Sequence, residues 1–183
     1  MTDGLASKIV VLHRSLDAVR LPHAFGGALA LAYCTSEPRG TKDIDVNVFI
    51  GADRLDELVA GLPSGVAVTQ SDRAAFERDG QTRLWWDGTP VDVFLSNTPF
   101  HDHAEASVRR VPFDEVDDLP ILACADLAVF KAFFGRAKDA VDVAEMVRTG
   151  AVVLEHLRDT VEALLGDGDR DRFFTRVEDA LTD

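Results

Sequence analysis

Apolar positions along the first twenty residues recur at helical steps. Leu5, Ile9, Leu12, Leu16 and Val19 fall three or four residues apart, which predicts an amphipathic helix with one buried stripe, ended before Pro22. Gly26 to Tyr33 is short, small and apolar, and predicts a second helix packed on a sheet. From Asp43 the period changes to two. Ile44, Val46, Val48 and Ile50 alternate with Asp43, Asp45 and Asn47, so one face of this strand is apolar and the other carries two carboxylates and an amide. Residues 52–62 predict a short amphipathic helix ended by Gly61, Pro63 and Gly65. A short strand at 66–69 and a helical turn at 71–78 follow. The strand at 81–87 turns through Asp87-Gly88 into a hairpin partner at 90–95. In that partner Val91, Val93 and Leu95 take one face, and Asp92 and Phe94 the other. A polar helix start at 100–103, a short strand at 111–113 and an apolar helix at 126–134 come next. A helix ended by Gly150 then leads to two amphipathic helices at 151–165 and 169–181. The chain is therefore expected to be α/β (α+β): a small mixed twisted sheet flanked by helices, with a helical C-terminal portion. The expected division is a core over 1–120 and a helical portion over 121–183 that closes the cleft.

The length of 183 residues suits one domain, with or without a helical extension, and 46% hydrophobic residues suffice for its core. No apolar run approaches the roughly 20 residues of a membrane span. Met1-Thr2-Asp3-Gly4 lacks the basic and apolar regions of a signal peptide. Cys34 and Cys124 lie in Ala-rich helical contexts, show no metal spacing and suggest no disulfide framework, so a reducing cytoplasm is the expected location. The net charge of −13 argues against a broad nucleic-acid face, leaves room for a local basic patch, and fits a basic protein partner.

The chemistry concentrates at Gly26-Gly27 and at the Asp43/Asp45 strand. Neighbouring carboxylates repel and are costly to bury without a partner. A divalent cation is the simplest remedy, and oxygen ligands suit magnesium. A glycine turn at a helix start lets backbone N–H groups approach a phosphate; alone it would be a tight packing turn. Together the two features suggest metal-assisted phosphoryl or nucleotidyl transfer. Asp92 is the sole charge in an apolar strand: either paired or metal-bound, or an edge aspartate reaching solvent. Lys131, among Val129, Phe130, Ala132 and Phe133, needs an aspartate or a phosphate, or it snorkels to solvent. Asp139 and Asp142 are either functional or charges at a helix N-terminus. Thr41 would set its hydroxyl beside a nucleotide or simply favour the strand; a phosphate on it would oppose the carboxylates. Arg39 is a solvated loop residue or a triphosphate clamp. Arg109 and Arg110 are a surface pair or an RNA or triphosphate contact. His101 and His103 lack zinc spacing, and the loop at 166–171 lacks the pattern of a calcium-binding loop.

Gly26-Gly27-Ala28-Leu29, followed by Arg39, Thr41, Asp43, Ile44 and Asp45, resembles the nucleotidyltransferase superfamily, whose signature is a glycine pair followed by Asp-x-Asp on a strand. The finer resemblance is to AbiEii/AbiGii-type abortive-infection toxins and their MenT-type relatives. Lys131, Arg136, Lys138, Asp139 and Asp142 follow a second motif of that family, with Lys138 in place of an arginine. The resemblance implies a nucleotidyltransferase fold and transfer of a nucleoside monophosphate from a nucleoside triphosphate. It assigns catalysis to Asp43, Asp45, Asp92, Lys131 and Asp139, and nucleotide binding to Gly26, Gly27, Arg39, Thr41, Arg136 and Asp142. Asp43, Asp45 and Asp92 would hold two magnesium ions (Mg2+). The implied acceptor is the 3′ end of tRNA, with the chain acting as the toxin of a toxin–antitoxin pair and an antitoxin protein as partner. An antibiotic-modifying enzyme and a non-catalytic nucleotide-binding relative are the alternatives.

Overall fold

A computed structural model describes residues 4–38, 40–166, 168 and 170–182. Arg39, with its expected clamp role, and Asp167 and Asp169, within the expected turn, lie outside the described residues. In chain order the elements are α1 (Leu5–Ala18), β1 (His23–Phe25), α2 (Gly27–Thr35), β2 (Ile44–Val48), a 3-10 turn (Ala52–Arg54), α3 (Leu55–Gly61), β3 (Val66–Ala67), α4 (Gln70–Asp79), β4 (Gln81–Trp86), β5 (Thr89–Leu95), α5 (Phe100–Ala106), β6 (Arg109–Phe113), β7 (Val116–Ile121), α6 (Cys124–Phe134), α7 (Ala137–Arg148), α8 (Leu154–Leu165) and α9 (Asp171–Thr182). The described residues divide into two compact units. One draws on 1–28 and 40–122, the other on 29–39 and 123–183.

The first unit is built on a seven-stranded mixed sheet in the order β3-β4-β5-β2-β1-β7-β6. At its centre β2 runs parallel to β5 and antiparallel to β1, and β1 runs parallel to β7. Val46, Val48, Val93 and Leu95 form a fully covered apolar face, as their alternation predicts. Helix α1 packs against α3 and β7, and α4 packs against β4. Ile9, Leu12 and Leu16 are buried as the helical spacing requires, but Val19 caps the end of α1 and is exposed. Thr69 and Asp72 close α4 at its start with a reciprocal capping box.

The second unit is helical. Helix α6 packs against α7 and α8, and α7 packs against α9. Phe173, Phe174 and Val177 form the buried face of α9, one stripe of an amphipathic helix. Its two cysteines correct the expectation drawn from sequence. Cys34 near the end of α2 and Cys124 at the start of α6 form a disulfide, with Cα atoms 5.6 Å apart. The pair is separated by 90 residues, so nothing in the local spacing announces it, and the inference of a reducing compartment loses its basis. Among the described residues no helix is long and apolar enough to cross a membrane.

Candidate active site

Register places the carboxylates. In the parallel pairing of β2 with β5, Asp45 lies directly beside Asp92, between the apolar pairs Ile44/Val91 and Val46/Val93. Side chains one register apart point to opposite faces, so the apolar pairs fill the core and the two aspartates share the other face. Asp43 stands just before β2. Its carboxylate accepts the Thr41 hydroxyl hydrogen bond, which locks the bend into the strand. Asn47, next on the aspartate face, is buried rather than open.

The glycine turn lies over this face. The N–H of Gly26 donates to the Asp45 carbonyl at 2.9 Å, so Gly26 spends its donor on β2 and contributes room to the site. A Cβ at Gly26 would meet Asn47 Nδ2 and the Leu122 side chain at 3.3 Å. Gly27 opens α2 with φ +51°, and a Cβ there would stand 2.9 Å from the Cβ of Asp45 and overlap its carboxylate. Only glycine combines that backbone angle with that approach. Gly27, the first residue of α2, thus stands immediately beside the Asp45 carboxylate.

Arg83 completes the group, and it was not singled out from sequence. On β4 it is paired in register with Asp92. Its Nε and Nη2 donate to the two Asp92 carboxylate oxygens at 2.7 Å each, and Nη2 lies 3.7 Å from Asp43 Oδ2. This is the parallel two-bond geometry that guanidinium and carboxylate favour. The hydrogen bond to Asp92, reinforced by that carboxylate's charge and those of Asp43 and Asp45, raises the Arg83 pKa above its ordinary value. The signal was present in the hairpin. Asp87 and Gly88 both have positive φ, the backbone of a two-residue turn. Counting outward from such a turn pairs Trp86 with Thr89 and Arg83 with Asp92.

The oxygens of Asp43, Asp45 and Asp92 are of the type that hard divalent cations take. Among the described residues, however, no three acidic, histidine or cysteine side chains stand grouped to receive an ion. The donor type suits a divalent cation, while at Asp92 the guanidinium covers both oxygens.

The other four residues assigned from sequence come together in the second unit. Lys131 Nζ donates to Asp142 Oδ2 at 2.7 Å and to Asp139 Oδ1 at 3.4 Å. Arg136 Nε donates to Asp139 Oδ2 at 2.6 Å, and the Arg136 N–H donates to the same oxygen at 3.3 Å. Asp139 is fully buried, and four donors from two residues explain how its charge is tolerated. The network joins the last turn of α6 to the first turn of α7 across Gly135, whose φ is +62°. A cavity of about 620 Å³ in the same unit is lined by Phe134, Arg170 and Arg176 among others, and by none of the assigned residues.

The fold is nucleotidyltransferase-like. The chain aligns over 97% of its length with 97% of the antibiotic-resistance factor ANT(2'')-Ia in solution, at 14% identity and a TM-score of 0.57. It aligns over 99% of its length with 93% of an antigenic nucleotidyltransferase-like protein from Paracoccidioides brasiliensis, at 19% identity and a TM-score of 0.54. ANT(2'')-Ia in complex with adenylyl-2''-tobramycin matches 95% of the chain over 97% of its own, at 13% identity and a TM-score of 0.52. No protein-family model and no curated protein sequence matches the chain.

Proposed function

We propose that this protein is a metal-dependent nucleotidyltransferase, moving a nucleoside monophosphate from a nucleoside triphosphate to an acceptor hydroxyl with release of pyrophosphate. The observation that carries the reading is the pairing of Asp45 with Asp92 on parallel strands, directly under the Gly26-Gly27 turn. The overall likeness to nucleotidyltransferase folds supports it. Asp43, Asp45 and Asp92 would hold magnesium, which would supply charge neutralisation on the phosphates and acidify the acceptor hydroxyl. Asp92 would accept the proton of that hydroxyl. The N–H groups of Gly27 and the first turn of α2 would face a phosphate, favoured by the positive end of the helix. Thr41 holds Asp43 in place through its hydroxyl. Lys131, Asp139, Arg136 and Asp142 keep the catalytic and nucleotide-binding roles that the sequence resemblance assigns them as part of the proposal, and Arg39 keeps its clamp role on the same footing.

For the acceptor, the sequence resemblance to abortive-infection toxins supports the 3′ end of tRNA, and with it a toxin that blocks translation and an antitoxin partner. One observation favours a second reading: the net charge of −13 attracts a cationic small molecule and repels RNA, and the fold resembles that of a protein solved with adenylyl-2''-tobramycin. The test is incubation of purified protein with each labelled triphosphate and either total RNA or an aminoglycoside, beside an Asp45→Asn variant. Label on RNA that the variant cannot transfer supports the first acceptor, and label on the drug supports the second. No transfer to either, with no binding of magnesium nucleotide, refutes the enzyme reading.

A further inference from the structure

Arg83 and a divalent cation want the same two oxygens. Each Asp92 oxygen accepts a guanidinium N–H at 2.7 Å, and a metal approaching Asp92 would meet those hydrogens first. The guanidinium also lies on the approach to Asp43. Yet the pair is not sealed from solvent. The Arg83 side chain is 50% exposed, against 19% for Asp92, so water and dissolved anions reach the guanidinium. Its planar fork also matches a phosphate as well as a carboxylate.

We propose that Arg83 is a positioning residue that alternates between two anions: the Asp92 carboxylate in the metal-free protein, and the triphosphate once metal and nucleotide occupy the site. In the first position it neutralises the carboxylates and weakens the binding of metal alone. In the second it gives Asp92 to the cation and gains the phosphates, so metal and nucleotide bind cooperatively. The geometry explains why the guanidinium reaches the site from β4. The hairpin register sets Arg83 opposite Asp92, and its half-exposed side chain lies at the edge of the aspartate face.

The inference rests on the nucleotidyltransferase reading, and the test separates the two. Mn2+ is titrated without nucleotide into the wild type, Arg83→Gln, Arg83→Lys and Asp45→Asn, with free ion counted by electron paramagnetic resonance. A non-hydrolysable triphosphate is then titrated in the presence of Mg2+. Loss of the competing guanidinium is expected to tighten Mn2+ binding in Arg83→Gln by at least about threefold, the least that a two-bond ion pair would give. The same variant is expected to bind the triphosphate at least about tenfold more weakly. Arg83→Lys, which keeps the charge and loses the fork, is expected to fall between. In the wild type, the Nε–H resonance of Arg83 should shift on adding Mg2+ with nucleotide. Arg83→Gln and Arg83→Lys that bind Mn2+ no tighter than wild type, or a resonance that stays still, overturn the alternation while leaving the enzyme reading intact. Wild type and Asp45→Asn that bind magnesium triphosphate equally overturn both.

Discussion

Gly27→Ala is the sharpest test of the turn over Asp45. The perturbation adds one methyl group where φ is +51° and where the new Cβ would stand 2.9 Å from the Cβ of Asp45. Two costs follow. A side chain in the left-handed region costs about 1–2 kcal/mol. The overlap costs about 1–3 kcal/mol more, as for an extra methylene forced into a packed site, because the Cβ of Asp45 is fixed to β2 and cannot rotate away. The sum is about 2–5 kcal/mol. At about 2–4 °C per kcal/mol for a chain of this size, Tm should fall by roughly 4–20 °C. Differential scanning calorimetry of Gly27→Ala beside Gly40→Ala reads this directly. Gly40 has nothing within 4 Å of a Cβ and no positive φ, so its variant should stay within about 0.5 kcal/mol of wild type. Nucleotide binding should fail in Gly27→Ala even well below its Tm, since Asp45 must shift to make room. Equal melting temperatures for the two variants would refute the close approach of the turn to Asp45.

Three further outcomes are expected. Lys131→Met strips the buried Asp139 and Asp142 of a shared cation and should cost about 3–5 kcal/mol in chemical denaturation; a loss under about 1 kcal/mol would mean that the network does not hold α6 to α7. Burial lowers His23 from 6.5 to about 4, with His13 and Arg110 adding to the effect against the Leu21 carbonyl and Asp17. The unfolded chain therefore takes up a proton that the folded one refuses, and stability should fall as pH drops from 6.5 towards 4, by up to about 3 kcal/mol. A His23→Gln variant should lose that slope between pH 6.5 and 5, and an unchanged slope would assign it elsewhere. Reduction of Cys34–Cys124 should lower stability by about 2–4 kcal/mol, so identical denaturation midpoints with and without dithiothreitol would count against the bond.

Most of the sheet was legible because its strands obey simple alternation. Ile44 to Ile50 and Val91 to Leu95 have one apolar and one polar face, and the structure puts the apolar face in the core. What could not be read were elements too short or too uniform to show a period. His23–Phe25 is a three-residue strand buried throughout, and Val116–Ile121 mixes Asp117, Asp118 and Pro120 into a strand paired on both sides. Neither presents an alternating pattern, although β1 and β7 sit side by side in the sheet. The Cys34–Cys124 bond was hidden for a different reason, since contact across 90 residues is a property of the fold and leaves no local trace.

The site shows where residue-by-residue reasoning stops short. A pair of carboxylates on one strand face requires a counter-charge, and from sequence alone a metal ion was the obvious candidate. The requirement was sound, but its first solution is protein. Arg83 meets Asp92 through the hairpin register and leans towards Asp43. A guanidinium on a strand carries no motif, and alone it reads as a solvated charge. It acquires meaning only when the Asp87-Gly88 turn is used to count across to β5. The side chain that neutralises Asp92 is also the cation best shaped to meet a phosphate, so under the proposed alternation one residue would answer the electrostatic demand of the face with and without nucleotide.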